Sequence, residues 1–247
     1  MSGLYLAVDL GVLAAPLLLS FDKRVNFFSQ WKDFWPVNLA VLTFFIAWDV
    51  LFTEWGIWGF NPDYLLGPEW LGLPLEEWLF FICIPYASVF TYAVIKSYVR
   101  QNPLRHSAIT VTMTAIAITG GLSFWFSDAL YTFSASTLCC AFLIWSAIKY
   151  SAWAHNLWIT FFVLIIPFIV SNGILTGIAF WEYPILHFNA DQIQDSIVWY
   201  KDDQTTGCRI FSMPADDLIY GFLLIGLHIA GFETLQKKRL GLGPYSN

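Results

Sequence analysis

Of 247 residues, 57% are apolar, 19% are Phe, Trp or Tyr and only 12% are charged. A soluble domain carries about a quarter charged residues, so this composition excludes one and points to a chain solvated largely by lipid. The net charge of −6, with the basic residues dispersed, does not suggest a nucleic-acid partner.

Runs of about 20 apolar residues cross a bilayer as helix. Seven are expected, at roughly 3–20, 37–55, 75–95, 107–127, 129–148, 156–180 and 215–235. The first contains Asp9 and has neither a basic flank before it nor a small-residue cleavage site after it, so it reads as a span rather than a signal peptide. The second carries Asp49, with Thr53 and Glu54 towards its outer end. A loop reading GIWGFNPDYLLGPEWLGL then leads to PLEEWLFF at 74–81, which opens the third span. The fourth and fifth follow, and the sixth holds Asn172 and Thr176 one turn apart. A longer loop, 182–213, includes SIVWYKDDQTTGCRIFSM and leads to PADDLIYG at 214–221, the mouth of the seventh span. His228 lies within that span and is expected to be a hydrogen-bonded structural residue.

Short cytoplasmic loops collect Lys and Arg. Lys23, Arg24, Lys32, Lys96, Arg100, Arg105, Lys149, Lys237, Lys238 and Arg239 fall on alternate segments, leaving only Lys201 and Arg209 on the other side. The expectation is a multi-pass cell-membrane protein with its N-terminus outside and its C-terminus in the cytoplasm. Cys83, Cys139 and Cys140 sit in spans and Cys208 stands alone in an outer loop, so neither a disulfide framework nor a metal site is expected. No Gly-x-Gly-x-x-Gly follows a strand, so no built-in flavin or nicotinamide domain is expected.

Pro-x-acid-acid occurs twice, 140 positions apart, and each time opens an apolar run. The fold class expected is an all-α integral membrane protein whose seven transmembrane helices form a 3+1+3 pseudo-repeat. Residues 1–100 make the first half, 101–128 a connector span and 129–247 the second half. Four spans separate the copies, so both enter the membrane in the same direction.

Proline suits the first helical position, which puts Glu76 and Glu77 in the first turn of span three and Asp216 and Asp217 in that of span seven. Neighbours on a helix differ by about 100°, so one acid of each pair faces the bundle. Acids at helix N-termini also simply complement the dipole. A repeated doublet with a third acid, Asp49, inside a span favours a functional site, because intramembrane charge is costly. Clustered, poorly solvated carboxyls tend to split into one protonated and one ionised group, as acid–base catalysis needs. Trp48, Trp55, Trp58, Trp70, Trp78, Trp181 and Trp199 gather near the outer mouth with Phe80 and Phe81. They read either as an interfacial belt or as rings that attract cations. Trp48, Trp78, Phe80, Phe81, Asn172, Thr176 and Tyr220 are the substrate-binding candidates, although Asn172 and Thr176 equally suit interhelical hydrogen bonding.

The stretches IAWDVLFTEWGIWGFNPDYLLG, LPLEEWLFF and SIVWYKDDQTTGCRIFSMPADDLIYGFLL resemble the heterodimer-type lycopene cyclase domain family, over the whole chain and in a fused two-half form. The resemblance implies a carotenoid cyclase that turns lycopene into β-carotene without net redox, with an ε- or C50-carotenoid cyclase as the alternative. It implies Glu76, Glu77, Asp216 and Asp217 as catalytic acids. Glu77 or Asp217 would be the proton donor, and the partner motif with Asp49 would supply the base or stabilise the cation. Asp216 stands where the family usually has Glu. No cofactor is evident, and a reduced cofactor in a non-redox role is compatible with the chain. The partners implied are lycopene or a related linear carotenoid and membrane lipid, and other carotenoid-pathway enzymes are compatible.

Three rival functions make different demands on the chain. A retinal protein needs a lysine inside the last span, and 215–235 has none. A transporter or proton pathway would use the same outer acids but would want a relay continuing inward. A prenyltransferase diphosphate site would want an acid three residues beyond Asp217, where Tyr220 stands.

Overall fold

The computed structural model describes residues 2–99, 102–104, 106–149, 153–188 and 193–241; Arg100 and Arg105 of the charge pattern lie outside them. Seven α-helices are described: α1 Leu4–Leu19, α2 Trp31–Glu54, α3 Leu75–Tyr98, α4 Ala108–Trp125, α5 Leu130–Ile148, α6 Ala154–Thr176 and α7 Asp216–Arg239. All but α1 are long and apolar enough to cross a membrane.

Three boundaries differ by four or more residues from those expected. Helix α2 begins at Trp31, ahead of residue 37, and so takes in Asp33, which suits a helix N-terminus and pairs with Arg239 at 2.7 Å. Helix α6 stops at Thr176 rather than 180: a Cβ on Gly177 would collide with Ser212, whose hydroxyl bonds Gly173 O at 2.9 Å. Helix α7 continues to Arg239, so Lys237, Lys238 and Arg239 form its last turn, where cations complement the free carbonyls.

The two helices opened by the acidic motifs, α3 and α7, are the most buried of the candidate spans, and they touch each other. Helix α1 packs on α3 and α5 on α7, while α2 and α6 each touch both central helices. Helix α4 packs mainly on α5 and buries only Ala108, Thr112 and Thr119, which turns its apolar remainder outward. At the end of α3 and α7 remote from the motifs, Glu233 accepts from Tyr92 at 2.8 Å and from Lys96. His228 is fully buried: Nδ1 donates to Leu224 O at 2.8 Å, leaving Nε2 to accept from Asn38 at 3.3 Å, the structural role expected for it.

The two loops before the motifs carry the described strands. Strand β1, Trp58–Phe60, belongs to the first, and β4, Val198–Tyr200, to the second; they pair antiparallel, with Trp58 opposite Tyr200 and Gly59 opposite Trp199. Asn61 N donates to Ile197 O and Lys201 N to Ile57 O, both at 2.8 Å, closing the pair at either end. A Cβ on Gly59 would run into the Trp199 indole, so this register needs glycine there. Each loop then folds into a hairpin, β2 Glu69–Trp70 with β3 Leu73–Pro74, and β5 Arg209–Ile210 with β6 Met213–Pro214. The hairpin strands β3 and β6 end on the motif prolines, and so deliver each acid doublet to the start of its helix.

Candidate active site

Within each doublet the two acids separate, as the 100° step between helical neighbours requires. Glu76 Oε1 turns back to accept Leu66 N at 2.6 Å. Asp216 does the same in the second loop, accepting Thr206 Oγ1 at 2.8 Å and Thr206 N, with Thr132 Oγ1 at 2.5 Å. These outer members hold their own loops and do not line the central cavity. Glu77 and Asp217 face inward, and both line that cavity together with Asp49. The cavity measures about 60 Å³. Apart from Asn172 and Gly221, its other walls are aromatic or aliphatic, including Phe80, Phe168, Tyr220 and Leu224.

Each inner acid is held by a tyrosine at the second position of a peripheral helix. Tyr5 of α1 donates to Glu77 Oε2 at 2.5 Å, and Tyr131 of α5 donates to Asp217 Oδ1 at 2.6 Å. Asp217 Oδ2 also accepts Asn172 Nδ2 at 2.7 Å and the Tyr200 hydroxyl at 3.1 Å. Glu77 instead has Asp49 within hydrogen-bonding reach, carboxyl to carboxyl. Trp58 Nε1 donates to Asp49 Oδ1, while Asp49 Oδ2 meets no donor among the described residues. Tyr200 lies in the strand pair outside the helices; burial, with the Asp217 charge beside it, holds its hydroxyl well above the ordinary phenol range. It therefore stays protonated and able to donate. Trp58, Tyr131, Tyr200 and Tyr220 form a ring cluster over the acids, with Trp58–Tyr131 centroids 5.1 Å apart and Tyr131–Tyr200 stacked at 5.9 Å. Asp9, one turn further along α1 from Tyr5, is fully buried with neither oxygen bonded among the described residues.

The substrate-binding candidates divide. Phe80, Asn172 and Tyr220 line the cavity. Trp48 packs behind Tyr220 at 5.1 Å, and Phe81 behind Phe45 at 6.0 Å. Trp78 lies away from it, stacked on Trp70 at 4.4 Å and bonded to Trp70 O. Thr176 bonds Asn172 O and Ser212 Oγ, both at 2.9 Å, which makes it a fastener between α6 and the second hairpin. Sequence reasoning missed Tyr5, Tyr131 and Tyr200. The first two had a signal: a Leu-Tyr pair opens both α1 and α5, at Leu4-Tyr5 and Leu130-Tyr131.

Three buried carboxyls, Asp49, Glu77 and Asp217, thus share one largely apolar, ring-lined cavity in a helical bundle, six of whose helices are long and apolar enough to cross a membrane. The chain matches the family model described as lycopene cyclase over residues 2–95 and 128–235, and it belongs to that family. A bifunctional lycopene cyclase/phytoene synthase of Neurospora crassa is 26% identical over 118 residues, a match spanning 44% of this chain and 19% of that protein. No solved structure matches.

Proposed function

We propose that this protein cyclises a linear carotenoid, converting lycopene to β-carotene by proton transfer without net redox, as an intramolecular lyase of the isomerase class. The observation that carries the reading is that Glu77 and Asp217, from motifs 140 positions apart, face one buried, ring-lined cavity with Asp49 beside them. A protonated carboxyl delivers H⁺ to the terminal alkene of an open end group. The tertiary cation is attacked by a second alkene to close a six-membered ring, and a carboxylate removes a ring proton. Trp58, Tyr131, Tyr200 and Tyr220 present faces and edges around this space, and aromatic faces attract cations. Glu77, Asp217 and Asp49 are the proposed reacting acids, and Phe80, Asn172 and Tyr220 the substrate contacts. Glu76 and Asp216 are proposed to hold the loops that roof the site.

The same reading takes all seven helices as spans, α1 included, in a 3+1+3 arrangement with α4 as the connector. Residues 1–100 and 129–247 would be the two halves, 101–128 the connector. The N-terminus is placed outside the cell membrane and the C-terminus in the cytoplasm, with membrane lipid around the bundle. Recurrence of the same hydrogen bonds in both halves supports it: Leu75 N to Pro68 O at 3.0 Å and Ala215 N to Cys208 O at 2.9 Å are one such pair.

The test is expression in a lycopene-accumulating bacterium, with pigments resolved by chromatography and mass. A cyclic product of unchanged mass is expected. No new pigment, or a product differing by two hydrogens or by one water, would reject the reading.

A further inference from the structure

The surroundings of the two inner acids correspond at the tyrosine that bonds each. They differ in the strand pair, where Tyr200 bonds Asp217 and its first-half counterpart on the cavity wall is Phe60, and at one polar position on the neighbouring helix. Tyr5 and Tyr131 are each the second residue of their helix, and each donates to an inner acid. Ile57 N donates to Phe52 O at 2.9 Å and Ile197 N to Leu175 O at 2.8 Å, which aligns the end of α2 with the end of α6. Asp49 lies three residues before Phe52, and Asn172 three residues before Leu175. The position that meets the inner acid is therefore a carboxyl in the first half and an amide in the second.

We propose that this carboxyl-for-amide difference, reinforced by the Tyr200 hydroxyl, gives the site its polarity: the Asp49–Glu77 pair holds the proton delivered to substrate, and Asp217 is the base that receives the proton the cation loses. The proposal rests on the cyclase reading above. Two carboxyls can share a hydrogen bond only if one of them carries a proton, and two buried like charges at that separation repel strongly. The first-half pair is thus a proton store. Asp217 is surrounded by donors instead, namely the Tyr131 hydroxyl, the Asn172 amide and the Tyr200 hydroxyl. Three donors select the ionised form of a carboxyl. Asn172 is then a positioning residue that keeps Asp217 an acceptor.

The proton balance closes. The pair's proton bonds to the terminal alkene carbon through the alkene π electrons and leaves a tertiary cation. The second alkene's π electrons form the ring C–C bond and move the cation into the ring. Asp217 takes a proton from a carbon next to the cation, and that C–H bond's electrons become the ring double bond. One proton has passed from the pair to Asp217; between turnovers one leaves Asp217 and one reloads the pair.

Two measurements test this. In the lycopene-accumulating host, Asp49→Asn should lower ring formation at least about 100-fold, the scale of a lost general acid. Asn172→Asp should also fall, because Asp217 would then sit in a second proton-holding pair and no base would remain. The double exchange Asp49→Asn with Asn172→Asp should recover at least tenfold over the weaker single, with the polarity reversed. A double exchange no better than the weaker single overturns the proposal. Infrared spectra of the purified protein need no substrate. Asp49→Asn, or Glu77→Gln if the former does not fold, should remove one protonated-carboxyl C=O band, while Asp217→Asn should remove none. The opposite pattern overturns the polarity even in a working cyclase, whereas a wild type that makes no cyclic pigment rejects the cyclase reading and leaves the infrared result to judge the protonation.

Discussion

Trp58 and Tyr200 stand opposite each other in the strand pair that joins the two outer loops, and each donates a side-chain hydrogen bond to a different buried carboxyl. Trp58 donates to Asp49 and Tyr200 to Asp217. One piece of backbone pairing thus sets the position of acids on both sides of the cavity. Removing either donor while keeping its ring isolates this effect. Trp58→Phe and Tyr200→Phe should each slow ring formation roughly tenfold, the equivalent of about 1–1.5 kcal/mol for one hydrogen bond. Conversion per unit of inserted protein measures it; unchanged rates in both would leave the strand pair a purely structural tie.

The inner acids should behave as one unit. Glu77→Gln and Asp217→Asn keep shape but cannot exchange protons as carboxyls do, so each should cost about 10²–10⁴-fold in rate. Groups that act together are not additive, and the double variant should be scarcely slower than the worse single. Two independent sites would give another pattern, each single retaining a share of cyclic product and only the double dead. Lycopene, monocyclic and bicyclic fractions across the three variants separate the cases.

The outer acids should separate stability from chemistry. Asp216 accepts from Thr132 and Thr206, bonds that tie the second loop to α5 and α7. Asp216→Ala strands those donors and should lower stability by about 1–3 kcal/mol, seen as earlier thermal loss of the folded protein. Glu76→Gln keeps an oxygen for Leu66 N and should retain ring formation within a few-fold. A Glu76→Gln variant as inactive as Glu77→Gln would place Glu76 among the reacting groups.

Topology can be read independently of pigment. Lys and Arg on alternate segments are the ground for proposing a cytoplasmic C-terminus. A C-terminal fluorescent protein that matures only in the cytoplasm should therefore glow, and a C-terminal alkaline phosphatase should stay inactive. The converse result would move the acid cluster to the cytoplasmic face.

What the sequence determined by itself was whatever depends on neighbours along the chain. Seven apolar runs announced seven helices, because a helix satisfies its own backbone within one segment. The Pro-x-acid-acid pattern announced that Glu76, Glu77, Asp216 and Asp217 would sit in first turns, and they do. The prolines, however, stand ahead of the helices rather than in their first position: Pro74 caps α3 in extended conformation and Pro214 ends β6, because both close hairpin strands. The same local rules misplaced the ends of α2, α6 and α7. Those ends depend on Asp33 meeting Arg239, on Ser212 crowding Gly177 and on the dipole at the end of α7. Only the tertiary structure decided which acid of each doublet faces inward, and what stands around it. Tyr5 reaches Glu77 across 72 positions and Tyr131 reaches Asp217 across 86, so no local pattern links either pair. Asn172 against Asp49 is the sharpest case: by sequence both are polar residues inside apolar runs. Only the fold brings each to an inner acid, where an amide that donates and a carboxyl that must share a proton have opposite consequences.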